Sequence, residues 1–222
     1  MRVDFRYSDV AYELWALGRL VGLSERMIAL AGDEEEDRIW ADLNSRGRDD
    51  DPAEQQFASQ DVDDIREVAL PRYTRGAIVV AVWAGYESAV LDVAERLANA
   101  LGRTQAFEHR DRRDFLRTIP GFFRGELGIA LDEDSARLVR LREVLDARTA
   151  FAHADGRIGR LNPDLQTRLL RIRGLTVNDL HDVVIPTEGF LAAAYADVSA
   201  SLASLVEHAK AREDGIASRP KP

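Results

Sequence analysis

The sequence predicts an all-α fold, a helical bundle of four to five principal helices with an extra N-terminal helix. Three observations predict it. Long apolar segments carry helical spacing. Proline, glycine and aspartate clusters punctuate them, as at Pro71, Ile119-Pro120-Gly121 and Asp155-Gly156. The chain has 222 residues, 45% hydrophobic and 31% charged, enough for one well-buried core.

Residues 8–31 read as an amphipathic helix started by Ser8-Asp9, with Leu14, Trp15, Leu17, Val21, Ile28 and Leu30 as its apolar face. Gly18 and Gly22 weaken it and allow a break near Gly22-Leu23-Ser24. The acidic run at 33–37 and the polar stretch 45–58 have loop composition, with a helical turn hinted at by Trp40 and Leu43 between them. A short helix over 60–70, capped by Asp61, ends or bends at Pro71. Residues 72–101 form the strongest helix, apolar almost all round its middle and closed by Gly102. An arginine-rich helix over 104–117 stops at Ile119-Pro120-Gly121, and 122–130 connect. Asp132 or Asp134 caps a helix to about His153, with Leu138, Leu141, Val144, Leu145 and Phe151 inward. Residues 157–185 suit a small strand pair or a helical turn. Pro186 opens the last helix, 187–212, and the polar tail reads as disordered. The expected organisation is residues 1–59 as N-terminal helix and acidic flexible linker, 60–212 as the helical domain and 213–222 as tail.

Composition narrows the function classes. Cysteine is absent, so disulfide frameworks, thiolate nucleophiles and cysteine-ligated zinc are excluded. The charged N-terminus lacks a signal-peptide core, and no apolar run in the sequence reads as a bilayer span, so a cytoplasmic location is expected. A net charge of −9 argues against non-specific duplex binding. The charge is segregated, however: acid crowds into 33–64 and arginine into 103–124 and 137–173. An acidic loop shielding a basic face is one reading of that pattern.

Chemistry concentrates in Arg148-Thr149-Ala150-Phe151-Ala152-His153, with Ala154-Asp155-Gly156 following. Arginine is a permanent cation that forks onto phosphate. Histidine suits proton transfer near neutral pH. Together they make a minimal kit for cleaving RNA without a metal. The bland alternative for His153 is a helix C-terminal histidine favoured by the macrodipole.

This segment resembles the HEPN family, whose hallmark is Arg, four to six residues, then His, at the end of a core helix. The resemblance implies a HEPN-like helical domain over 60–212 and a homodimer sharing one cleft. It implies a metal-independent endoribonuclease leaving a 2′,3′-cyclic phosphate, in toxin–antitoxin or antiviral defence settings with an antitoxin or defence protein as a possible partner. Arg148 and His153 would be catalytic, with Thr149 and Asp155 supporting. Two departures stand out: active relatives commonly carry Asn, Asp or His where Thr149 stands, and Asp155 occupies the position of a modifiable tyrosine. The family also includes non-catalytic modules, so the alternative is a helical dimerisation, nucleotide-binding or partner-binding module.

Glu87 lies among apolar and small residues: it is either a buried carboxylate that needs a partner, with Arg148 as the candidate, or part of a narrow solvent-facing stripe with Arg75 and Glu95. Arg110, Arg113, Arg117 and Arg157 are candidate RNA-binding residues, although Glu108, Asp111 and Asp114 dilute the first cluster. His181 and His208 have no metal-ligand pattern around them, and neither a metal nor a cofactor is expected.

Overall fold

The structure, a computed structural model, describes residues 6–103, 115–131 and 135–217. The fold is all-α with one small hairpin. Its helices are α1 (Ser8–Ser45), α2 (Pro52–Asp63), α3 (Leu70–Ala100), α4 (Phe115–Phe122), α5 (Ser135–Ala154), α6 (Pro163–Leu169) and α7 (Glu188–Ala217), and its strands β1 (Leu175–Asn178) and β2 (Val183–Pro186). Strands β1 and β2 pair antiparallel, Leu175 opposite Pro186 and Asn178 opposite Val183.

Several expected boundaries shift. Helix α1 runs through Gly22 and through the acidic run to Ser45. Glu, Arg, Ala and Leu are strong helix formers, so loop composition misleads over 33–45. Local pairs hold the acid on the helix: Arg38 bonds Glu35, and Arg46 reaches Asp42 at 2.6 Å. Helix α2 begins at Pro52, not near Asp61, because Asp51 caps it: the Asp51 carboxylate accepts from Ala53 N at 2.9 Å and proline fills the first turn. Thr187, not Pro186, caps α7, its Oγ1 accepting from Phe190 N at 3.2 Å. Pro186 closes β2 instead. Both expectations for 157–185 are met, by α6 and by the hairpin.

Pro71 does not end the helix. A π-helical turn over Asp64–Ala69 carries α2 into α3, and the Leu70 N–H donates to Ile65 O. A proline has no N–H and its ring crowds the carbonyl four residues back. The wider turn just before it relaxes that conflict. The same device follows Pro120: α4 passes through it into a π turn over Phe123–Leu127, and Gly128, at φ 69°, ends the run. The expected stop at 119–121 is therefore displaced to Gly128. Residues 104–114 and the candidate caps Asp132 and Asp134 lie outside the described residues, as does 218–222 of the tail, while 213–217 continue α7.

The segment Pro52–Ala100 and the helix Glu188–Ile216 are long and apolar enough to cross a membrane by length and composition, contrary to the expectation from sequence. Half of the most apolar window in Pro52–Ala100 is buried within the protein, as in the core helix of a globular domain.

The chain forms two compact units. Unit one comprises Met1–Leu17, Val82–Val144 and Ala194–Pro222. Its core centres on Trp83, Tyr86 and Phe115, with ring centroids 5.3 to 6.3 Å apart, together with Val93, Leu97, Phe123, Leu127 and Leu202. Within it, Arg140 Nε bonds both Asp197 oxygens at 2.8 Å, and the Tyr195 hydroxyl donates to Leu14 O at 2.9 Å. Unit two comprises Gly18–Ala81 and Leu145–Ala193. Val79, Ala147, Ala150, Leu165, Leu169, Val183 and Leu191 are buried there, and Val68 clusters with Val183 and Ile185. Arg75 pairs with Glu25 and donates to Pro186 O at 3.0 Å, fixing the hairpin's end within that unit.

Candidate functional site

The last two turns of α5 are made by alternating roles around the helix. Ala147 and Ala150 are fully buried, and Phe151 and Ala154 nearly so. Ala152 and His153 are exposed, and Arg148 and Thr149 are half-buried. Phe151 locks this orientation. A Cβ added at Gly76 on α3 would stand 2.4 Å from the Phe151 ring, and one added at Gly156 would stand 2.7 Å from it. Only glycine lets the ring seat on both sides, so the apolar edge is fixed inward and the polar edge outward.

The helix ends where Asp155 and Gly156 both turn left-handed, at φ 51° and 75°. Gly156 N donates to Ala150 O at 3.1 Å and Asp155 N to Phe151 O at 3.2 Å, satisfying carbonyls of the last turn. The chain then pairs with β2: Val184 N donates to Gly156 O at 2.8 Å and Ile158 N to Asp182 O at 3.0 Å. Arg72 secures the corner. It is 7% exposed, its Nε donates to Asp155 O at 2.7 Å, and its guanidinium lies 4.4 Å from the Tyr73 ring centroid. The backbone carbonyl of Asp155 is thus the structural group at that position, and its side chain is exposed.

On this frame Arg148 and His153 stand about 140° apart around α5 and about 7.5 Å apart along its axis. They border the exposed face from opposite edges. Arg148 Nε is buried and has no hydrogen-bond partner among the described residues. Thr149 Oγ1 donates to Leu145 O at 2.8 Å, so that hydroxyl proton is spent on the helix. Two turns before His153, Asp146 takes a two-pronged contact from Arg168, at 2.7 and 2.9 Å, which holds the Arg168 guanidinium above its ordinary range.

Set against known protein families, characterised proteins and solved structures, the chain gives no match.

Arg148, Thr149, His153, Asp155 and Arg157 all lie at the end of α5 or just beyond it, in unit two, and Arg157 is exposed. Glu87 belongs to unit one. It is half-buried rather than buried. A serine and an alanine beside it (Ser88, Ala84) leave its flank open to water. Arg117 is exposed on α4, also in unit one, while Arg110 and Arg113 lie outside the described residues. Among the described residues, no group of three His, Asp or Glu side chains is placed to hold a metal. Arg72 and the Asp146–Arg168 pair are the positioning residues that spacing alone did not reveal. Their only signal is charge next to apolar helix, which many surface residues share.

Proposed function

We propose that this protein is a metal-independent endoribonuclease of HEPN type that acts as a homodimer, with Arg148 and His153 as its catalytic residues. One observation carries the reading: an exposed histidine and an arginine with an unpartnered buried N–H border the same open helix face. Cleavage by the 2′-hydroxyl needs a base for its proton and an acid for the leaving oxygen. One chain supplies a single motif histidine. A two-fold axis supplies the second, because an isologous interface presents the same patch twice. One His153 takes the 2′-hydroxyl proton as the 2′-oxygen bonds phosphorus. The other protonates the 5′-oxygen as its bond to phosphorus breaks. Both Arg148 guanidinia hold the charge that builds on the phosphoryl oxygens. The products are a 2′,3′-cyclic phosphate and a 5′-hydroxyl, and DNA is spared for want of the 2′-hydroxyl. An antitoxin or defence-system partner would bind over this face.

The second reading, a non-catalytic helical module, is favoured by the place of His153 in the last turn of α5, where a cation meets the helix dipole. Purified protein is incubated with mixed single-stranded RNA and excess chelator, beside His153→Ala. Cleavage that survives chelator and disappears in the variant supports the nuclease. Intact RNA from a folded dimer supports the module.

A further inference from the structure

Unit one holds a second feature, unrelated to the motif. A cavity of about 40 Å³ is lined by Tyr86 and Val90 of α3, Ile119 of α4, Leu131, Arg137 of α5, and Ser201, Ser204 and Leu205 of α7. At about 10–15 Å³ per water this is room for about three waters or one small polyatomic ion. Among the described residues that line it, no side chain is acidic. Arg137 Nε is buried and has no hydrogen-bond partner among the described residues. An N–H of a cation left bare in such a place calls for an acceptor.

The hydroxyls beside it add donors. Tyr86 Oη and Ser201 Oγ stand 3.2 Å apart. One hydroxyl donates to the other, and the acceptor of that bond keeps its own proton for a third group. Burial pushes the Tyr86 hydroxyl above its ordinary value, so it stays protonated and a donor. The Ser204 carbonyl already accepts from His208 Nδ1 at 2.7 Å, which removes one competing acceptor on that turn. Val90, Ile119, Leu131 and Leu205 supply apolar walls, which strengthen any charge-assisted bond made inside.

We infer that this cavity binds a phosphate-sized oxyanion, either free or as the terminal group of a phosphomonoester. The guanidinium supplies the charge, and Ser204 together with whichever of Tyr86 and Ser201 accepts from the other supplies hydroxyl donors. A neutral ligand of that size leaves the cation uncompensated; a cation is repelled.

Calorimetric titration of the full chain in chloride buffer tests this with inorganic phosphate and, separately, glycerol phosphate. Saturable binding of one anion per chain is expected. Arg137→Gln should weaken it by about ten-fold or more, as loss of a charge-assisted donor does. Tyr86→Phe and Ser201→Ala should each weaken it by about five-fold. His153→Ala should leave it unchanged, which keeps this result separate from the nuclease reading. Tighter binding of the ester than of phosphate identifies a phosphomonoester as the ligand; the reverse identifies the free anion. Absence of saturable binding by the folded protein overturns the inference, as does phosphate binding that Arg137→Gln retains in full. Should far-UV circular dichroism show Arg137→Gln unfolded, the Tyr86→Phe/Ser201→Ala pair serves under the same criterion.

Discussion

Arg137 and Arg148 share one helix, and each buries an Nε that no acceptor meets among the described residues. Their surroundings differ. Arg137 lines a small cavity with three hydroxyl-bearing side chains and apolar walls. Arg148 is half-buried at the edge of a helix face that ends in an exposed histidine. The same unmet donor therefore points to different ligands. Enclosure selects for something small that sheds its water. An open edge beside a proton-transfer group selects for a polymer that lies across it. The lesson is that an orphaned cation states a need for an anion, and the walls around it state the size.

The largest expected effect breaks the comparison if it fails. His153→Ala and Arg148→Ala should each lower RNA cleavage by about 10²- to 10⁴-fold, measured on a labelled single strand, while Arg137→Ala leaves the rate within about two-fold. Equal loss in all three variants would mean that the two arginines serve one purpose.

Next comes Gly76→Ala. The added carbon meets the Phe151 ring at 2.4 Å, so the ring or the helix must move. Urea unfolding should show a loss of about 1–3 kcal/mol. Phosphate titration at the Arg137 cavity should persist in this variant, whereas RNA cleavage should fall as the last turns of α5, around Phe151, shift.

Arg168→Ala has a smaller effect. The pair with Asp146 is half-exposed, with 53% of the arginine side chain in water, so the stability loss should be about 1 kcal/mol or less in chemical denaturation. A larger drop in cleavage than in stability would give Asp146 a part in orienting the open face.

The smallest effect is a pH dependence. Burial raises the Tyr86 hydroxyl above its ordinary 10.0, so the folded chain holds that proton more tightly than the unfolded chain. The unfolded state releases it first. Stability from this source is intact below about pH 10 and declines as pH rises further. Tyr86→Phe should shallow that decline in thermal melts taken above pH 10. Tyr7 is shifted the same way by burial and by Glu213, so part of the slope should remain.

Much of this molecule is legible in its sequence. The apolar spacing of 72–101 and the run before Asp155-Gly156 give α3 and the end of α5 directly, because period and stop signals agree there. The motif residues 148–153 read as the end of a helix, and α5 ends at Ala154. What escapes has physical reasons. The acidic run at 33–37 is held on the helix by local pairs and also by Arg66, which meets Asp33 and Glu36 from thirty or more residues away in sequence, beyond any local window. With that pairing, part of the acid on α1 is neutralised where it stands. Pro71 reads as a stop because sequence rules assume an α ladder, whereas the ladder changes pitch just before it. Glu87 reads as buried because its neighbours in sequence are apolar, yet a helix buries by face and not by stretch. Arg72 escapes altogether, since its partner is a backbone carbonyl, and carbonyls have no letter in a sequence.

The change of pitch before Pro71 has a consequence for how this chain tolerates insertion and deletion. A π turn is an α-helix with one residue added, so removing any one residue from 64–69 restores regular winding and swings everything upstream by about 100°. The upstream helix would then present a different side to its surroundings, and the ring of Pro71 would press on a carbonyl. Variants of this protein that differ in length should keep the count between Asp51 and Pro71 constant, even where the letters in that interval change freely.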